Sequence, residues 1–179
     1  EFLGKKNVLG IGEIGLNRNT RNELEVLERH IELAVKHDQQ ILVHTPHLED
    51  KKKGTRLIVD VLRSHSGVKP GRVIIDHVEE HTIQSVLDQG FWAGITLYPD
   101  SKSSPPRAVD MLEICGRERI WLNSACDWGV SDPLAVPKTT MRGRSGRAPV
   151  VARPNSFARM TISSQIGGSS NRIPPPTIT

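Results

Sequence analysis

Four polar residues interrupt apolar runs of this chain: Glu13 in "NVLGIGEIGLN" (residues 7–17), His44 closing "QQILVH" (39–44), His77 in "GRVIIDHV" (71–78) and Asp127 closing "RIWLNSACD" (119–127). A carboxylate set among Val8, Leu9, Ile11, Ile14 and Leu16 is costly to bury unless a positive charge meets it. Two carboxylates and two imidazoles form a ligand set for a divalent cation. Imidazole with carboxylate suits Zn, Mn, Ni or Fe, and a site richer in oxygen suits Mg. Each residue alone has a plainer alternative: a hydrogen-bonded core or loop histidine, a helix-capping Glu13, or an Asp127 that opens a turn before Trp128 and Gly129. Their joint occurrence in one repeating pattern favours the metal.

Several neighbours widen the set. His47, in "HTPHLED", is a loop histidine that either touches substrate or is simply solvated. Glu79 shares the strand parity of His77 and is a candidate to hold it or to contact substrate. Asp76 is expected, by the same parity, to face the helix layer in a structural role. Lys51, Lys52 and Lys53 form a charge run, ordinarily a solvated face, that could attract a phosphate.

The elements that must position these residues alternate. Strand-like runs at 7–15, 39–44, 71–78, 90–98 and 119–127 are separated by helical patterns. The first helix begins at Thr20 with a Thr-x-x-Glu capping-box spacing and carries Leu24, Leu27, Ile31 and Ala34 on one face. Further helices are expected over about 54–64, 81–88 and 108–115. Five strands alternating with four helices through short links imply β-α units and a parallel sheet. Periodicity leaves open both a doubly wound sheet and part of a (β/α)8 barrel. A dinucleotide fingerprint is absent, because "GIGEIG" places Glu13 where a pyrophosphate would sit. The four polar residues all fall at or just past the carboxyl ends of the expected strands, the edge on which parallel α/β folds build their sites.

"GEIGLN" (12–17), "LVHTP" (42–46), "IDHVEE" (75–80) and "SACDWG" (124–129) resemble the TatD-type metal-dependent hydrolases of the amidohydrolase superfamily. The resemblance covers residues 7–138 and implies a TIM-type (β/α)8 barrel of which strands four to eight are represented. It implies Glu13 as a carboxylate shared by two metal ions, His44 and His77 as ligands, and Asp127 as a ligand that also takes the proton from an attacking water. The implied activity is hydrolysis of an ester-type bond, phosphodiester first. Alternatives are a phosphotriesterase- or lactonase-like hydrolase of the same superfamily, or a non-catalytic half-barrel that serves as an interaction module. The family's His-x-His pair, which completes the first metal site, has no counterpart here, so one or two divalent ions are implied.

Charge divides the chain. All acidic residues lie at or before Asp132, whereas residues 139–179 hold six arginines and no acid. Residues 1–138 carry a net charge of −2, so the basic character belongs to the last segment. That segment, rich in Arg, Pro, Ser and Gly and without periodicity, is expected to be a disordered tail; nonspecific nucleic-acid binding is its sharper reading. Residues 1–138 are the expected hydrolase domain. Cys115 and Cys126 have neither disulfide-framework density nor C-x-x-C spacing and are read as reduced thiols. No apolar run reaches the roughly 18 residues of a membrane span. No basic-then-apolar leader opens the chain, so a cytoplasmic location is expected. A small-molecule or phosphodiester substrate and self-association through exposed sheet edges complete the expectations.

Overall fold

The computed structural model describes residues 2–47, 49–98 and 102–125, with positions 134 and 136. The expected domain boundary at 138 and the segment 139–179 lie outside the described residues, as do Asp127 and Cys126.

Strand β1 (Gly10–Gly15) leads to α1 (Arg21–Lys36). Its start is set by Thr20, whose hydroxyl accepts from the Glu23 amide while the Glu23 carboxylate accepts from the Thr20 amide. Strand β2 (Gln40–His44) is followed by α2 (Lys51–Ser64), which begins three residues earlier than the apolar stripe predicts. Asp50 is the reason: its carboxylate accepts from the Lys53 amide at 2.9 Å and draws the lysine run into the first turn. Strand β3 (Val73–Asp76), the short α3 (Ile83–Leu87), β4 (Trp92–Leu97), α4 (Pro105–Cys115) and β5 (Ile120–Ser124) complete the series. Prolines at the start of α4 occupy positions where the missing N–H has no helical partner to lose.

All four strand pairings are parallel and the spatial order is β1-β2-β3-β4-β5. An order that never reverses, with right-handed crossovers, carries every helix to the same face. The core confirms it: Leu27 and Ile31 of α1, Ile58 and Leu62 of α2, Ile83 and Val86 of α3, and Ala108 and Met111 of α4 join one apolar cluster. Val43, Ile75 and Ile95 meet them from the sheet and are fully buried. A doubly wound sheet would need helices on both faces. The fold is therefore α/β of the singly wound, TIM-barrel type, in the form of a five-stranded arc.

The residues between those core positions, Leu42 and His44, Ile74 and Asp76, Gly94 and Thr96, Trp121 and Asn123, belong to the opposite face. In a closed barrel that face is the interior. Two glycines permit its close approaches. A side chain at Gly94 would collide with the Asp76 carboxylate, and one at Gly15 with the His44 carbonyl.

Candidate metal centre

At the carboxyl ends of β1 to β3 the structure brings Glu13, His44, His47 and His77 together. His77 Nε2 lies 3.0 Å from Glu13 Oε1, and His44 Nδ1 lies 3.7 Å from the same oxygen. The three imidazoles form a triangle, with ring centroids 4.7 Å apart for His44–His47 and 4.9 Å for each of the other two pairs. His44 ends β2, His77 directly follows β3, and Glu13 sits within β1 rather than beyond it. His47 reaches the cluster from the loop after β2, where His47 N–H donates to Asn17 Oδ1 at 3.3 Å.

The face expected for Asp76 is corrected. Val73 and Ile75 face the helices, so alternation puts Asp76 on the site side of the sheet, not in the helix layer. His77 then has a positive φ of 60°, which breaks the alternation and turns its ring to that same side. Val78 resumes the core face and its N–H donates to the Gly94 carbonyl at 2.9 Å. Two consecutive residues thus face the cluster. Three donors engage the buried Asp76 carboxylate: the His77 amide at 2.8 Å and Thr96 Oγ1 at 2.9 Å on Oδ1, and Asn123 Nδ2 at 2.7 Å on Oδ2.

This arrangement assigns the His77 tautomer. The single Thr96 hydroxyl proton is committed to Asp76, so Thr96 Oγ1 must accept from His77 Nδ1–H, at 2.6 Å. In the neutral ring, Nε2 then points a lone pair at a carboxylate oxygen 3.0 Å away. Two acceptors facing each other need a cation or a proton between them. His44, then His77, hold the Glu13 carboxyl far below the usual carboxylate range, against the opposing effect of burial. His47 is pushed down to about 3 by loss of solvent around its ring, then by the Lys51 charge and by His77 and His44. It therefore offers a lone pair at neutral pH. Donor atoms of His44, His47 and His77, and separately of Glu13, Asp76 and His77, lie within 4.8 Å of one another. An imidazole-rich cluster completed by carboxylate fits a divalent cation.

Glu79 stands outside this cluster. The strand ends at Asp76, so parity with His77 does not extend to it; Glu79 pairs with Lys51 at 3.3 Å instead. Lys51 was read only as part of a charge run, yet its ammonium is largely buried and donates to the His77 carbonyl at 2.9 Å. Burial lowers its pKa, with Glu79 opposing. Thr45 Oγ1, also buried, lies within reach of both the Asp76 and His77 carbonyls, at 2.8 and 3.1 Å. Sequence reasoning missed Thr45, Thr96 and Asn123. For Thr96 and Asn123 the available signal was a polar residue at the inward parity of an otherwise apolar strand; Thr45, just past β2, had none.

A singly wound parallel α/β arc with histidines and a carboxylate at its strand ends defines the class of metal-site barrel proteins. Within that class the family model described as TatD related DNase matches residues 1–120, and the chain belongs to that family. An uncharacterized metal-dependent hydrolase of Methanocaldococcus jannaschii is 30% identical over 141 residues, which cover 79% of this chain and 55% of the relative. The TatD-like protein of Archaeoglobus fulgidus superposes with a TM-score of 0.61 at 29% identity, covering 79% of this chain and 54% of that one. The phosphotriesterase homology protein of Escherichia coli, solved with phosphate in its active site, shares the fold at 16% identity, with a TM-score of 0.54 over 93% of this chain and 55% of its own. The chain spans about half the length of these relatives. No helix among the described residues is long and apolar enough to cross a membrane.

Proposed function

We propose that the chain carries the site of a metal-dependent phosphodiester hydrolase, with Glu13, His44 and His77 as ligands of a divalent cation and His47 beside them. The observation that supports this reading is the His77 Nε2 lone pair facing Glu13 Oε1 at 3.0 Å, with Nδ1 already engaged by Thr96. Three imidazoles and one carboxylate suit Zn, Mn, Ni or Fe better than Mg. A divalent ion bound there supplies Lewis-acid polarisation and an acidified water.

The chain's own groups do the rest. Glu13 presents its charge to the cation and to the imidazoles. Thr96 and Asp76 keep His77 in the tautomer that leaves Nε2 free. Lys51 and Thr45 hold the His77 carbonyl, and with it the left-handed turn that aims the ring. Asp127, on the family resemblance, is both a ligand and the base that accepts the proton of the attacking water. Phosphodiester is favoured as substrate by the family's description as DNases.

The test compares the wild type with Glu13→Gln and Asp127→Asn. Bound metal is measured by elemental analysis, and hydrolysis is followed on bis(p-nitrophenyl) phosphate and on p-nitrophenyl acetate. Glu13→Gln is expected to lose metal. Asp127→Asn is expected to lose turnover by a larger factor than it loses metal. Metal binding without turnover of either ester would instead mark a binding module, and wild-type activity in Asp127→Asn would sink the mechanism.

A further inference from the structure

On the helix-covered side, α2 and the segment around α3 flank an open groove of about 420 Å³. Its α2 wall presents Lys52, Arg56 and Arg63, spaced i, i+4 and i+11 on one helical face, with Lys53 beside them. Eleven residues of helix rise about 16 Å, too far for one phosphate and suited to a chain that carries several. Among the described residues Lys52, Lys53 and Arg56 pair with no carboxylate, and the Arg63 guanidinium donates to Gln89 Oε1, at 2.7 Å. Of the two acids in the lining, Asp50 is engaged as the cap of α2, whereas Asp60 is exposed on the groove wall.

The facing wall is neutral and hydrogen-bonding, with Ser85 and Gln89, and ends at His81. His81 Nδ1 lies 3.9 Å from Glu79 Oε2, and Glu79 pairs with the Lys51 that holds His77. One end of the groove is thus linked to the His77 backbone through Glu79 and Lys51. Among the described residues its lining includes no Trp, Tyr or Phe on which bases could stack.

We propose that this groove is a non-catalytic site that tracks the backbone of a single-stranded phosphodiester chain. The ligand class rests on the hydrolase reading above; the geometry of the groove does not. Contact through phosphates alone makes binding independent of base sequence and steeply dependent on salt.

The experiment uses the full chain in EDTA and a fluorescein-labelled oligodeoxythymidylate of fifteen nucleotides, with affinity read by anisotropy across a salt series. The Lys52→Ala/Arg56→Ala double variant is expected to bind roughly tenfold more weakly and to flatten the salt slope by about 1.4, the loss of two phosphate contacts on a single strand. Asp60→Asn is expected to bind about two- to threefold more tightly, a gain that misfolding could not produce. The arginines of residues 139–179 are common to all three proteins, so a difference between them arises at the groove. Unchanged affinity in both variants would overturn the groove, as would displacement by polyglutamate as effective as by unlabelled oligonucleotide. A chain that hydrolyses nothing yet shows both shifts would sink the hydrolase reading alone. An active chain indifferent to both variants would sink the groove alone.

Discussion

The two faces of one sheet differ sharply. The helix-facing side is a continuous apolar layer in which Val43, Ile75 and Ile95 are fully buried. The other side, one residue along each strand, carries His44, Asp76, Thr96 and Asn123, and Glu13 there keeps 43% of its side chain accessible. The same two-residue alternation produces both, because each strand that commits one face to the core offers the next residue to the other. His77 is the instructive exception. Its left-handed backbone adds a second consecutive residue to the polar face and then returns Val78 to the core. Stability and chemistry are thus divided between faces and coupled at the end of β3.

The largest expected effect tests the apolar face alone. Ile75→Ala removes a fully buried side chain at the centre of the layer and should cost about 2–5 kcal/mol, read as a lower urea midpoint with an unchanged slope. Metal stoichiometry of the fraction that remains folded should not change. A parallel loss of metal would mean that the faces are not separable.

Next comes the coupling itself. Thr96→Val keeps the shape of the side chain but removes the hydroxyl that links His77 Nδ1 to Asp76. Metal affinity should fall by roughly 10–100-fold, the usual consequence of losing a group that orients a ligand. Competition against a chromophoric chelator measures it. The stability cost should stay near 1–3 kcal/mol, because the buried Asp76 carboxylate keeps its Asn123 and His77 amide donors.

Much of this division was legible in advance. Strand and helix order followed from apolar patterning, since the helices carry one apolar stripe each and the strands are short apolar runs between them. Glu13, His44 and His77 stood out because polar letters in apolar strands are costly without a partner. What was not legible is non-local or conformational. The positive φ of His77 leaves no mark in residue types, so strict alternation, anchored on His77 as a site residue, assigned Asp76 to the wrong face. His47 joins His44 and His77 only because the loop after β2 folds back. Lys51 looked like one of three equivalent lysines, and its burial depends on Glu79, 28 residues away. The start of α2 was misjudged for a local reason: Asp50 caps a first turn that holds no apolar residue.

A subtler pH effect separates His47 from the carboxylates. In metal-free protein the folded pKa of His47, about 3, lies below its ordinary 6.5, so the unfolded chain takes up the proton first. Stability is full above about pH 6.5 and is lost as pH falls toward 3. Glu13, Glu23 and Glu80, whose pKa values are also depressed in the fold, add their loss only below their ordinary 4.5. His47→Gln should therefore flatten the fall in Tm between pH 6.5 and 4.5 and leave the acid limb in place. An unchanged profile in that window would show that the ring is not shielded by its neighbours.

The smallest effect lies at the entrance to α1, remote from both faces' centres yet tied to the site by the chain. Glu23 accepts from the amides of Asn17, Arg18 and Thr20, so the capping box also fixes the loop that follows β1. Asn17 in turn receives the His47 amide. Thr20→Ala removes the cap hydrogen bond from the Glu23 amide and the one Thr20 Oγ1 donates to Glu23 Oε2, and should cost about 1 kcal/mol in urea denaturation. Because Glu23 still holds Asn17, metal affinity should stay within twofold of wild type. A larger loss of affinity would place the loop after β1, and not the strand ends alone, in control of where His47 sits.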